Sequence, residues 1–280
     1  FVSPAFAADV SVGGAMHFVF ENADAGTSAD PNDIEVKVGA AEEMANGMSV
    51  DAYINTSDHA AAVTLAGGFG SLTLTNDDTG IGTMEDQADV APHGGGKGAV
   101  KTTANTQAAI FNPSVGIEGV TPMIGYSAAG AGVTAVDYGI KVDLGGFSGR
   151  FAISDGSEDA DNVEVVSISY TMGAIKVAFD SVSNQNGVTD SEVESFGATY
   201  DIGGGTKLYG EMSTANYDWN AGESIDYSVL TNSTDNELES QLVGVSHSIG
   251  GITIFAQTES VGTKEGSDAD TTSVGLHYGF

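Results

Sequence analysis

Apolar and polar residues alternate with a period of two along many short stretches of this chain. Near its end Val274, Leu276, Tyr278 and Phe280 take one face, while Ser273, Gly275, His277 and Gly279 take the other. Val136, Tyr138, Ile140, Val142 and Leu144 alternate with Asp137, Gly139, Lys141 and Asp143 in the same way. So do Val166, Ile168, Tyr170 and Met172 with Ser167, Ser169 and Thr171, and Ile175, Val177 and Phe179 with Lys176, Ala178 and Asp180. Successive side chains of a strand point to opposite faces, so this period predicts strands that stand between two different solvents.

Reading the whole chain this way predicts fourteen strands, over 9–20, 33–42, 47–56, 59–67, 70–75, 132–144, 147–154, 163–172, 174–183, 191–202, 206–214, 237–248, 252–260 and 271–280. Sixteen remain open, because 100–131 and 215–236 are each long enough to hold one more hairpin, with 120–129 as the foremost candidate strand. The connections alternate too. Gly145-Gly146, Met172-Gly173, Gly203-Gly204-Gly205 and Gly250-Gly251 suit tight hairpins. Longer acidic connections lie between them, at 21–32, 155–162, 184–190, 215–236 and 261–270. Short turns at one end and long polar loops at the other are the pattern of an all-β, closed antiparallel up-and-down transmembrane barrel. An even strand number brings both termini to the short-turn end. Residues 76–131, rich in Gly, Ala, Asp and Thr, interrupt the pattern, and a barrel has room for such a loop in its lumen.

Composition narrows the function classes. Eight Lys and Arg against 39 Asp and Glu give a formal net charge of −31, which excludes the basic patch a nucleic-acid binder needs. With 41% hydrophobic residues the chain is too apolar for a charged disordered polymer. Its 39 glycines against 5 prolines fit many tight turns. Without cysteine there is no disulfide, thiolate metal site or cysteine nucleophile. No run of 18 apolar residues makes a membrane helix, but a barrel strand crosses with about ten alternating ones. The run Ala5-Phe6-Ala7 has the A-x-A form of a signal-peptidase site, so 1–7 is read as the tail of a secretory signal and 8–280 as one barrel domain.

In these features the sequence resembles the general porins of the Gram-negative outer membrane, most closely the alphaproteobacterial type. The hairpin from Val63 to Leu74 followed by a long loop, the succession of glycine-turn hairpins and the terminal Phe280 carry the resemblance. It implies a sixteen-stranded barrel assembled as a homotrimer among outer-membrane lipid and lipopolysaccharide, and a loop folded into the pore. Carried over residue by residue, 76–131 resembles the constriction loop, and Tyr278 with Phe280 resembles the signal read by the barrel-insertion machinery. The chain departs from the family in its fourteen parsed strands and in its scarcity of arginine.

If the apolar faces meet lipid, the strand bases can be placed, since a charge at the bilayer midplane costs about 2–4 kcal/mol. Lys37, Lys141, Arg150, Lys176 and Lys207 are expected on the lumen side; Lys97, Lys101 and Lys264 fall in loops. The long loop would carry Asp77, Asp78, Glu85, Asp86 and Asp89 inward to face some of these bases across a narrow opening. The same bases are equally explained by avoidance of lipid, and the acids by a solvated run. Asp155, Glu158, Asp159 and Asp161 read as an outer hydrophilic rim; they are weak candidates for a structural Ca²⁺, since the calcium-loop spacing is missing. Tyr170, Tyr200 and Tyr278, on lipid faces near short turns, suit an interfacial girdle.

Enzyme signals fail. The five histidines form no H-E-x-x-H pair, Gly94-Gly95-Gly96-Lys97-Gly98 lacks the following Ser or Thr of a phosphate loop, and there is no G-x-S-x-G elbow. The expectation is a passive channel for ions and small hydrophilic solutes, cation-selective, without a cofactor. Two alternatives stand beside it: a solute-specific porin, for which Tyr53, Tyr209 and Phe255 face inward but are scattered, and an acidic surface-array β protein without channel activity.

Overall fold

A computed structural model describes residues 9–23, 26–30, 34–56, 59–76, 79–84, 88, 90–92, 107–128, 134–156, 162–185, 190–217, 237–263 and 268–280. The alternating stretches form strands: β1 Asp9–Ala23, β2 Gly26–Asp30, β3 Ile34–Glu43, β4 Ser49–Asn55, β5 Ala61–Gly67 and β6 Gly70–Thr75. After the long connection come β7 Gln107–Pro113, β8 Val120–Ala128, β9 Thr134–Leu144, β10 Phe147–Gly156, β11 Asn162–Met172 and β12 Ile175–Gln185. The last five are β13 Asp190–Gly203, β14 Thr206–Tyr217, β15 Glu237–Ile249, β16 Ile252–Thr263 and β17 Asp268–Gly279.

Apart from β2 and β3, which both pair with β1, every strand pairs antiparallel with its neighbours in sequence, and β1 pairs with β17, so the sheet closes on itself. Residues Asp9–Met16 of β1 pair with β3 and Val19–Ala23 with β2, so β2 and β3 share one position. The barrel therefore has sixteen strand positions. The hairpin absent from the fourteen-strand reading is β7–β8, inside 100–131, with Phe111 opposite Ile124. The connection between β6 and β7 is accordingly 76–106, shorter than the expected 76–131.

These two strands hide from a period-two reading for a physical reason. Ala108 and Ile110 point inward yet are buried, as is Met123, because loop residues cover them. The inner face there is apolar, so alternation is lost. Pro113 and Pro122 add to the disguise, since proline is rare inside strands.

Elsewhere the barrel is apolar outside and polar within. Phe151, Ile168, Phe179 and Ile254 are exposed, while Ser154, Ser167, Asp180 and Gln257, facing the other way on the same strands, are buried. Water-soluble domains bury the first kind and expose the second; here the exposed face meets hydrocarbon. The short turns follow from glycine. Gly145, Gly173 and Gly250 hold φ near +60° at the first central position of two-residue hairpins, as type II′ turns require.

Candidate functional site

Inside the barrel, residues 79–84 lie flush against the wall, with a 3-10 turn at Gly82–Met84. Ile81 and Met84 pack in one buried cluster with the inward-facing Ala108, Ile110, Met123, Ala152, Val163, Val165 and Val182. Met84 and Met123 are 0% and 2% exposed, so apolar contact seals the segment to the wall.

Two carboxylates then fix its path. Asp137 accepts the Ile81 N–H at 3.1 Å with one oxygen and the Ser154 hydroxyl at 2.6 Å with the other. Asp180 accepts the Ala88 N–H at 2.6 Å and the Ser167 hydroxyl. Loop amides facing a wall would otherwise be buried without partners, at about 1–3 kcal/mol each. Glycine provides the space: a Cβ on Gly80 or Gly125 would stand 2.7 or 2.8 Å from an Asp137 oxygen, and one on Gly197 would collide with the Ala88 carbonyl. Sequence reading put Asp137 and Asp180 on the lumen face and missed this role. The signal was available: both are acids in the middle of strands, where a plain hydrophilic lining needs only serine.

The wall also carries a row of small hydroxyls. Along the hydrogen-bond direction from Lys141 the cross-strand partners run Arg150, Ser167, Asp180, Ser195, Ser213 and Ser240. Two bases, Lys141 and Arg150, therefore stand directly opposite one another, an arrangement that ordinarily destabilises a sheet. Arg150 reaches the Thr83 carbonyl of the inserted segment at 3.5 Å.

The five strand bases all sit on inward positions but do not share one side. Lys141, Arg150 and Lys176 are on β9, β10 and β12, the sector that holds the inserted segment. Lys207 is at the short-turn end of β14, opposite Asp201. Lys37, on β3, lies across the bore, with its Nζ 3.6 Å from the centre of the Tyr53 ring. Asp77, Asp78, Glu85, Asp86 and Asp89 lie outside the described residues, as do Glu158, Asp159, Asp161 and residues 1–8. Asp155 is exposed at the outer end of β10. Among the described residues no group of three or more His, Asp or Glu is placed to hold a metal ion.

The inward aromatics lie flat. Tyr209 spreads over Gly244 and hydrogen-bonds Gln257 Oε1 at 2.9 Å; Phe255 spreads over Gly275. Rings against glycine cover the wall without filling the bore. Across the bore from the inserted segment a cavity of about 770 Å³ opens, bordered by Glu35, Lys37, Asp51, Tyr53, His17 and His277. On the outer face Tyr170, Tyr200 and Tyr278 are exposed near short turns. Phe280 extends β17 by exchanging both backbone hydrogen bonds with Gly14, at 2.9 and 3.0 Å, and its ring meets that of Tyr278 at 5.9 Å.

The architecture has known counterparts. OmpT of Vibrio cholerae superposes with a TM-score of 0.77 at 12% identity, covering 100% of both chains. A refined porin structure gives 0.73 at 11% identity over 97% of this chain and 100% of its own. A mutant of Rh. blastica porin gives 0.62 at 14% identity, again over 97% and 100%. At these identities the likeness is one of fold. None of the curated proteins matches the sequence. The model of the Gram-negative porin family, however, matches residues 1–280. A sixteen-position barrel with an apolar outside, a polar inside and a segment tied into its lumen agrees with that match, and the chain belongs to the Gram-negative porin family.

Proposed function

We propose that this outer-membrane channel protein, which is not an enzyme, is a general diffusion porin, passing ions and small hydrophilic solutes and selective for cations. The observation that carries this is the inserted segment: sealed to one side by Ile81, Met84, Asp137 and Asp180, it narrows the bore and leaves the opposite side open. With a net charge of −31, the field in a low-dielectric barrel concentrates cations.

Asp77, Asp78, Glu85, Asp86 and Asp89 belong to the same connection and would supply the acidic side of the constriction. Lys37, Lys141, Arg150, Lys176 and Lys207 would set its basic counterweight, and Tyr278 with Phe280 would be the insertion signal.

Strand length supports a homotrimer. β4, β5 and β6 have 7, 7 and 6 residues. Seven residues at about 3.3 Å each, tilted by about 40°, rise about 18 Å, short of the apolar band of about 25 Å. A low wall is suited to meeting protein rather than lipid.

The test is the purified protein in planar bilayers. Stepwise conductance and a reversal potential of cationic sign in a KCl gradient are expected; anionic preference would overturn the selectivity, and absence of conductance the channel.

A further inference from the structure

We propose that His17 and His277 form a two-imidazole site for a divalent transition-metal ion of the zinc, copper or nickel class, on the side of the bore facing the inserted segment. This rests on the reading of the interior as a water-filled lumen.

The register puts the two side chains together. Gly14 and Phe280 exchange both backbone hydrogen bonds, so they are a hydrogen-bonded pair. Antiparallel pairs alternate, so three steps along, His17 opposite His277 is a non-hydrogen-bonded pair, the kind whose side chains stand closest. Both share a face with buried Val19 and Ser273 and so point inward. Their rings stack with centroids 4.3 Å apart and planes 17° from parallel. The neutral imidazole is the ligating form.

Two Zn–N bonds of about 2.0–2.1 Å at a tetrahedral angle hold the nitrogens about 3.3 Å apart. Chelation requires the rings to leave the stack and turn so that one nitrogen of each points at a common ion, a rotation about side-chain torsions. The pair borders the cavity of about 770 Å³, so an ion can arrive from the lumen and keep water at its remaining positions. Its surroundings attract a cation. Glu35, diagonal to His17 across β1 and β3, is held by the Asn55 amide at 2.7 Å, and Asp51 borders the same space. The nearby base, Lys37, is drawn onto the Tyr53 ring. Imidazole nitrogen is the donor that zinc, copper and nickel prefer, whereas calcium and magnesium prefer oxygen.

The experiment measures single-channel conductance of the intact protein in KCl with Zn²⁺ added, beside calorimetric titration of Zn²⁺ into the detergent-solubilised protein. Zn²⁺ is expected to lower the conductance, reversibly with EDTA, where equal Mg²⁺ does not. The titration should show one site per chain. His17→Asn and His277→Asn should each still form stepwise-conducting channels without zinc, which reports a folded protein, and lose zinc affinity by more than the about 10–100-fold that a merely supporting contact is worth. His247→Asn, on the outer face of β15, should leave zinc binding unchanged. A conducting channel that Zn²⁺ does not affect, or zinc binding that survives His277→Asn, would overturn the site while leaving the porin reading intact; loss of zinc-free conductance from the wild type would strike at the porin reading itself.

Discussion

Single residues decide how firmly the bore is narrowed. Asp137 is 0% exposed and serves two donors, one on the inserted segment and one on β10. Asp137→Ala should leave the Ile81 amide and the Ser154 hydroxyl without their acceptor, at about 1–3 kcal/mol for a buried group. The expected readout is larger and noisier single-channel conductance, with the barrel still resistant to detergent unfolding. Unchanged conductance would mean that the apolar cluster alone holds the segment. At this scale the sequence was partly legible. The polar face of each strand, including Asp137 and Asp180, follows from alternation, but their partners lie 56 and 92 residues away. Nothing local announces such a pairing.

At the scale of the strand, the apolar and polar faces are not interchangeable. Phe179 on β12 points to lipid and Thr199 on β13 to the lumen. Phe179→Arg is expected to destabilise the inserted barrel by about 2–4 kcal/mol and Thr199→Arg by clearly less, as measured by reversible unfolding in lipid vesicles. The lumen substitution should instead shift the reversal potential toward anions. The wall beneath the segment makes a second test. Gly197→Val would drive a side chain into the Ala88 carbonyl, so the segment must move while β13 keeps its pairing. Altered conductance with unchanged barrel stability is the expected result.

For the whole molecule, charge sets selectivity and strand height sets assembly. Because 39 acids face 8 bases, cation preference should weaken as salt rises, the Debye length falling from about 10 Å at 0.1 M to about 3 Å at 1 M. Reversal potentials measured in the same KCl ratio at rising concentration test this; a preference independent of salt would locate selectivity in short-range contacts instead. Cross-linking in detergent tests the low sector of β4–β6, where a trimer should join through Ile54, Val63 and Leu74, all exposed.

The sequence by itself determined the barrel, the sense of its two faces and its two unlike ends, because period-two alternation and turn chemistry are local and repeat many times. Only the tertiary structure decided the hairpin β7–β8, the length of the inserted connection and the distribution of bases around the bore. In each case the deciding contact joins residues far apart in the chain. Loop residues covering Ala108 and Ile110 turn an inner face apolar, and closure of β17 on β1 brings His277 to His17.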